Sequence, residues 1–165
     1  MRSRILQAIL LILISVIFAF GANRFSGRGI PIRGNWPSIS GSDSVIVPPS
    51  AQPGDPPFIS LDEAAAKFQT PGVMILDARD TADYDAGHIR GAINLPFDYF
   101  DDFWDKVMTG VAKDREVVIY CSGEECELSL MLGREMANRG FSRIYIFYGG
   151  WREWEKAGLP IEKGV

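Results

Sequence analysis

The sequence predicts an α/β domain with a mostly parallel central sheet flanked by helices, preceded by one N-terminal transmembrane helix or signal segment. Three observations predict it. From Phe58 onward, short β-branched runs alternate with longer helical patterns, the signature of βαβ units. Two of those runs, Val73-Met74-Ile75-Leu76 and Val117-Val118-Ile119-Tyr120, are continuously apolar, as strands buried on both faces are. Ahead of them, residues 5–22 form one apolar block broken only by Gln7 and Ser15.

That block follows Met1-Arg2-Ser3-Arg4 and holds neither charge nor proline. At ~1.5 Å per residue it extends about 27 Å, close to the thickness of a bilayer's hydrocarbon core. Residues 1–22 are therefore expected to be a signal anchor or a signal peptide. The apolar run is longer than the ~7–15 residues of a signal h-region, which favours the anchor. Arg24, Arg28 and Arg33 compete with Arg2 and Arg4 for the cytoplasmic side. The short end is expected inside, with the domain extracytoplasmic (periplasmic if the source is bacterial).

Residues 23–57 are rich in Pro, Gly and Ser and read as a tether, because they offer little apolar surface to offset chain entropy. Trp36 and Val45-Ile46-Val47 stand out as a short arm able to dock on the domain. Residues 58–165 form that domain. Ser60 with Glu63 is a capping box that opens a helix through Phe68. Val73 to Leu76 is a strand, and Phe97 to Met108 an amphipathic helix with Phe100, Trp104 and Val107 on its apolar side. The opposite row of Asp98, Asp101, Asp102 and Asp105 reads as a solvated face. Val117 to Tyr120 is the next strand, and Glu127 to Asn138 a helix closed by Gly140. Arg143 to Phe147 is the last strand, with Ile144 and Ile146 on one face and Tyr145 and Phe147 on the other.

Charge is unevenly shared. Residues 1–57 carry five Arg and two Asp, a net of +3, whereas residues 58–165 carry twelve basic and nineteen acidic side chains, a net of −7. Phosphate recognition draws on clustered Lys and Arg, so no nucleic-acid partner is expected for this domain. Cys121 and Cys126 are the only cysteines, too few and too close for a disulfide framework. With one His they do not complete a zinc site, so no metal is assigned.

Cys121 follows a buried strand and precedes a polar loop that feeds a helix N-terminus. Backbone N–H groups and the helix dipole favour negative charge there. Cys121 is therefore expected to ionise below the free-thiol value of ~8.5. An inert strand-end cysteine is the alternative reading.

Asp77-Ala78-Arg79, Tyr84, and Gly87-His88-Ile89-Arg90-Gly91-Ala92-Ile93-Asn94-Leu95-Pro96 resemble the signature of rhodanese-like domains. The Cys121 loop and Gly149-Gly150-Trp151-Arg152-Glu153-Trp154 follow in the family's order. The resemblance covers nearly all of residues 58–165. It implies that Cys121 attacks a sulfane-sulfur donor, holds the sulfur as a persulfide and passes it to a thiol acceptor. No metal or organic cofactor is implied. Asp77, Arg79 and His88 would then brace the fold, and Trp151 and Trp154 would pack in the core.

The active-site loop, Ser122, Gly123, Glu124, Glu125, Cys126 and Glu127, departs from the family's small or basic residues. Three carboxylates beside a thiol disfavour the thiolate and repel an anionic donor, which makes thiosulfate a poor one. Cys126 either packs at the start of the helix or pairs with Cys121 as a redox partner. Besides the membrane-tethered sulfurtransferase or persulfide carrier, two further functions stay open: a thiol–disulfide redox protein using both cysteines, and a non-catalytic binding domain.

Overall fold

The computed structural model describes residues 2–25 and 44–164, the side chains of residues 2, 3, 8, 17, 19, 20 and 23–25 excepted. Trp36 and the middle of the expected tether lie outside the described residues. Two compact units divide the chain, Met1–Ser38 and Ile39–Val165.

The first unit contains helix α1, Arg2–Phe25. Ile5, Leu6, Leu10, Leu11, Ile12 and Phe18 on it are exposed. Among the described residues no helix is long and apolar enough to cross a membrane. The transmembrane segment expected at residues 5–22 is therefore not shown by the fold.

The second unit is an α/β domain. Its main sheet holds β1 (Met74–Asp77), β3 (Ile93–Asn94), β4 (Val117–Tyr120) and β5 (Ile144–Phe147) in the order β3-β1-β4-β5, all parallel. β2 (His88–Ile89) and β6 (Ile161–Glu162) pair antiparallel in a small second sheet. The helices are α2 (Leu61–Phe68), α3 (Thr81–Ala86), α4 (Phe100–Met108), α5 (Leu128–Asn138) and α6 (Gly150–Lys156). A 3-10 turn, Phe97–Tyr99, leads into α4.

The strands separate two cores, because successive side chains of a strand point to opposite faces. Leu76, Ile119, Ile144 and Ile146 face one core with Leu132 and Met136 of α5. Ile75, Val118, Tyr120 and Phe147 face the other with Ala64 of α2 and Trp154 of α6. Leu76, Ile119 and Ile146 are completely buried, each contributing roughly 1.5–3 kcal/mol of apolar burial. Trp104 and Phe100 lie against the first core, and Trp104 meets Phe141 edge to face.

The expected helix and strand signals are largely realised. Ser60 accepts from the Glu63 backbone N–H, and the Glu63 carboxylate accepts from the Ser60 N–H. Gly140 takes the left-handed conformation, φ +88°. α3 and the β2–β6 pair carry no strong local signal. They depend on the Asp80 side chain, which caps α3, and on strand partners 72 or more residues apart in the chain.

Residues 44–57, assigned by composition to the tether, lie on the domain. Ile46 packs against the first core, and Pro48 and Pro56 are buried. Arg134 of α5 grips Asp55 through two hydrogen bonds of 2.7 and 2.8 Å and also donates to the Ser50 carbonyl. The Asp55 carboxyl is held below its usual range by that guanidinium.

Candidate active site

β4 ends at Tyr120, and the next residue, Cys121, is fully buried at the carboxyl end of the parallel sheet. Ligands of such sheets gather at this end. From there the chain turns through Ser122 to Glu127 and enters α5. Cys126 N–H donates to the Gly123 carbonyl at 2.8 Å, which closes the turn.

The α6 segment holds the base of the loop. Trp151 N–H donates to the Cys121 carbonyl at 2.8 Å, and Arg152 N–H to that of Ser122 at 3.2 Å. Gly150 makes this approach possible. Its φ is +62°, and a Cβ there would stand 2.3 Å from the Cys121 carbonyl oxygen and 2.9 Å from the Gly123 nitrogen. Both are backbone atoms, so neither can swing aside. Gly150→Ala should therefore displace the loop, costing about 1–3 kcal/mol in strain. A thermal melt and a sulfur-loading assay on the variant should both fall, and an unaltered loading rate would show that the strap does not position Cys121.

Tyr148 donates its hydroxyl to the Glu124 carbonyl at 2.8 Å, and Ser50 donates to the Glu127 carboxylate at 2.5 Å. Glu124 and Glu125 are exposed on the turn, and Glu127 is half-buried. Ser122 also lines a cavity of about 380 Å³ together with Arg79, Asp83, Gly87, Trp151 and Arg152.

The two cysteines meet. Both are free thiols, Cys121 buried and Cys126 half-buried. The Cys121 thiol donates to the Cys126 carbonyl oxygen at 2.8 Å, and Ser129 Oγ stands 3.5 Å from its sulfur. Cys126 stands two residues ahead of Leu128, the first residue of α5, and so at the helix's positive end.

The two thiols differ in acidity. The hydrogen bond with Cys121 holds Cys126 below the ordinary thiol range, against its burial. Cys121 is pushed up, first by its bond to Cys126 and then by burial, with Ser129 opposing. Both causes run against the expectation that Cys121 ionises readily. The pair shares its protons, so its first ionisation belongs to both residues.

Asp77, Arg79 and His88 sit beneath this site. Arg79 is buried and donates to both Asp77 oxygens, at 2.5–3.1 Å, and to the Gly87 carbonyl at 2.7 Å. Its guanidinium lies 5.1 Å from the Trp151 ring. The Ile89 N–H donates to the Tyr120 hydroxyl at 3.1 Å. His88 is buried and stacked on Tyr84, its Nδ1 2.8 Å from the Tyr84 carbonyl oxygen. These groups bind one another and fix the end of β1 beside that of β4.

A parallel sheet that delivers a buried thiol into a loop leading to a helix N-terminus defines a class of α/β domains suited to thiol chemistry. Within it, the chain belongs to the rhodanese-like domain family, whose description matches residues 60–157.

Among curated relatives, the tRNA uridine(34) hydroxylase of Aster yellows witches'-broom phytoplasma (strain AYWB) is 36% identical over 112 residues, 66% of this chain and 34% of that protein. The HTH-type transcriptional regulator Rv0324 of Mycobacterium tuberculosis (strain ATCC 25618 / H37Rv) is 37% identical over 110 residues, 65% of this chain and 45% of that protein. Among solved structures, the Alr3790 protein from Anabaena sp. aligns with a TM-score of 0.53 at 26% identity, covering 64% of this chain and 89% of that one. The chain spans less than half the length of these curated relatives.

Proposed function

We propose that this chain is a sulfurtransferase or persulfide carrier that moves sulfane sulfur through a persulfide on Cys121. The observation that carries this reading is the place of Cys121, at the end of β4 in a loop that turns into the N-terminus of α5. A sulfur anion extended from Cys121 meets helix-end N–H groups there, and such groups stabilise negative charge without a metal. Membership of the rhodanese-like family supports the same chemistry.

In this reading the Cys121 thiol passes its proton to the neighbouring Cys126 sulfur and attacks the outer sulfur of the donor. The donor's leaving group departs with the bonding electron pair, and Cys121 keeps the outer sulfur as a persulfide. A thiol acceptor then takes it up. The exposed Glu124 and Glu125 keep the donor neutral or protein-borne by repelling anions such as thiosulfate. The domain's net charge of −7 is why the reading includes no nucleic acid.

The reading places the protein at a membrane through residues 5–22, with its domain outside the cytoplasm. Support comes from α1, where ten large apolar side chains from Ile5 to Phe18 are exposed. Exposed apolar surface of this kind marks a membrane or partner site.

Two measurements test the proposal. Incubation of the reduced chain with inorganic polysulfide should add one labile sulfur atom to its intact mass, removable by a small thiol. No added sulfur at any donor concentration would sink the carrier reading. Alkaline extraction should leave the protein with the membrane pellet, and protease added to intact cells or spheroplasts should reach the domain. Release at high pH or a protected domain would overturn the placement.

A further inference from the structure

Rhodanese chemistry on Cys121 leaves Cys126 unexplained, and the structure gives this second thiol a particular position. Cys126 lies at the end of the turn closed by its own N–H on Gly123. Two residues further on, Leu128 begins α5, so Cys126 precedes the helix end that would also receive the outer sulfur of a persulfide on Cys121. Its neighbour is the Cys121 thiol itself, which donates to the Cys126 carbonyl at 2.8 Å.

We infer that Cys126 is a resolving nucleophile, which discharges the Cys121 persulfide within the loop and releases its outer sulfur as hydrosulfide. The inference rests on Cys121 carrying the sulfur, as proposed above.

Cys126 attacks the inner sulfur of the persulfide, the Sγ of Cys121, and the proton it took from Cys121 passes to the outer sulfur. A Cys121–Cys126 bond forms, and the bond between Sγ and the outer sulfur breaks. The electron pair leaves with the outer sulfur, which departs as hydrosulfide. The sulfane sulfur is reduced by two electrons, and the two cysteines are oxidised to a disulfide. No outside oxidant enters the step. A dithiol reductant is needed afterwards to reopen the disulfide, so each reduced chain can release one hydrosulfide.

Physical reasons favour the step. Attack between neighbours in one short loop has a high effective concentration. Cys126 is also the half-buried member, while Cys121 is sealed.

The test uses the full chain, reduced and freed of reductant, loaded with inorganic polysulfide and then desalted. The wild-type chain should release close to one equivalent of hydrosulfide and end two hydrogens lighter than the reduced protein, with no free thiol. Cys126→Ser should load one sulfur on Cys121 and keep it at least about tenfold longer, releasing hydrosulfide only when an outside thiol is added. Cys126→Ala should match it, which guards against a local effect of the serine hydroxyl. If the persulfide lasts as long in wild type as in both variants, the inference fails while the carrier reading stands. If no sulfur loads on wild type or on either variant, and no disulfide forms, the carrier reading itself is lost and this inference with it.

Discussion

Cys121→Ser should hold no labile sulfur and should lose transfer activity by at least about a thousandfold, the scale expected when a covalent nucleophile is removed. A serine hydroxyl forms no persulfide and ionises far too weakly to attack a donor. The residue is buried at the end of β4 with Ser129 beside it, so the smaller oxygen should fit without displacing the loop. Intact mass after polysulfide treatment, with fluorescence-monitored unfolding as the folding control, measures the effect. A Cys121→Ser chain that still loads one sulfur on Cys126 at the wild-type rate would move the nucleophile to Cys126.

A second large effect should come from Arg79→Leu, this time on stability. Asp77 is completely buried, and Arg79 meets both its oxygens. Burial opposes the charged guanidinium, yet the pairing with Asp77 outweighs it and raises the Arg79 pKa. Removing the arginine leaves a carboxylate without its counter-charge in the interior, which costs about 3–5 kcal/mol. Against a typical total near 5–15 kcal/mol, that should lower the urea midpoint severely. Pairing the change with Asp77→Leu should recover part of the loss, because no lone charge then remains. Equal midpoints for Arg79→Leu and the wild type would mean the pair contributes nothing.

What could be read in the sequence follows the range of the forces involved. β1 and β4 are legible because the apolar runs Val73 to Leu76 and Val117 to Tyr120 fit strands covered on both faces, and β5 because its residues divide between two faces. α2 is legible because Ser60 and Glu63 cap it locally. β2 and β6 are not, since two-residue strands exist only by pairing with each other across the chain. Residues 44–57 have a tether's composition, yet Val45-Ile46-Val47 marks an arm able to dock, and Ile46 does so; the grip of Arg134 on Asp55 and Ser50 has no signal in the sequence.

The candidate site shows the same division. Its loop could be placed from the strand, the helix and the family pattern. The acidity of its thiols could not, because it depends on the burial of Cys121 and on the hydrogen bond between the two cysteines. A cysteine five positions beyond Cys121 was the signal available, and the closed turn at Gly123 determines what it does.

The docked segment ahead of Phe58 changes what counts as the smallest folding unit. Among the described residues its first core contact is Ile46, and its last polar grip is Asp55 on Arg134. Pro56 then settles close to Gly133 of α5, whose absent side chain leaves room for Ile146 of β5. A fragment cut at Phe58 would strip these contacts from α5 and would also remove Ser50 from Glu127, at the far end of the active loop. The autonomous piece therefore begins at or before Ile46, a dozen residues ahead of the boundary that composition suggests. Strain carried along the polypeptide from its N-terminal side would act on α5 and the cysteine loop before it reached the sheet.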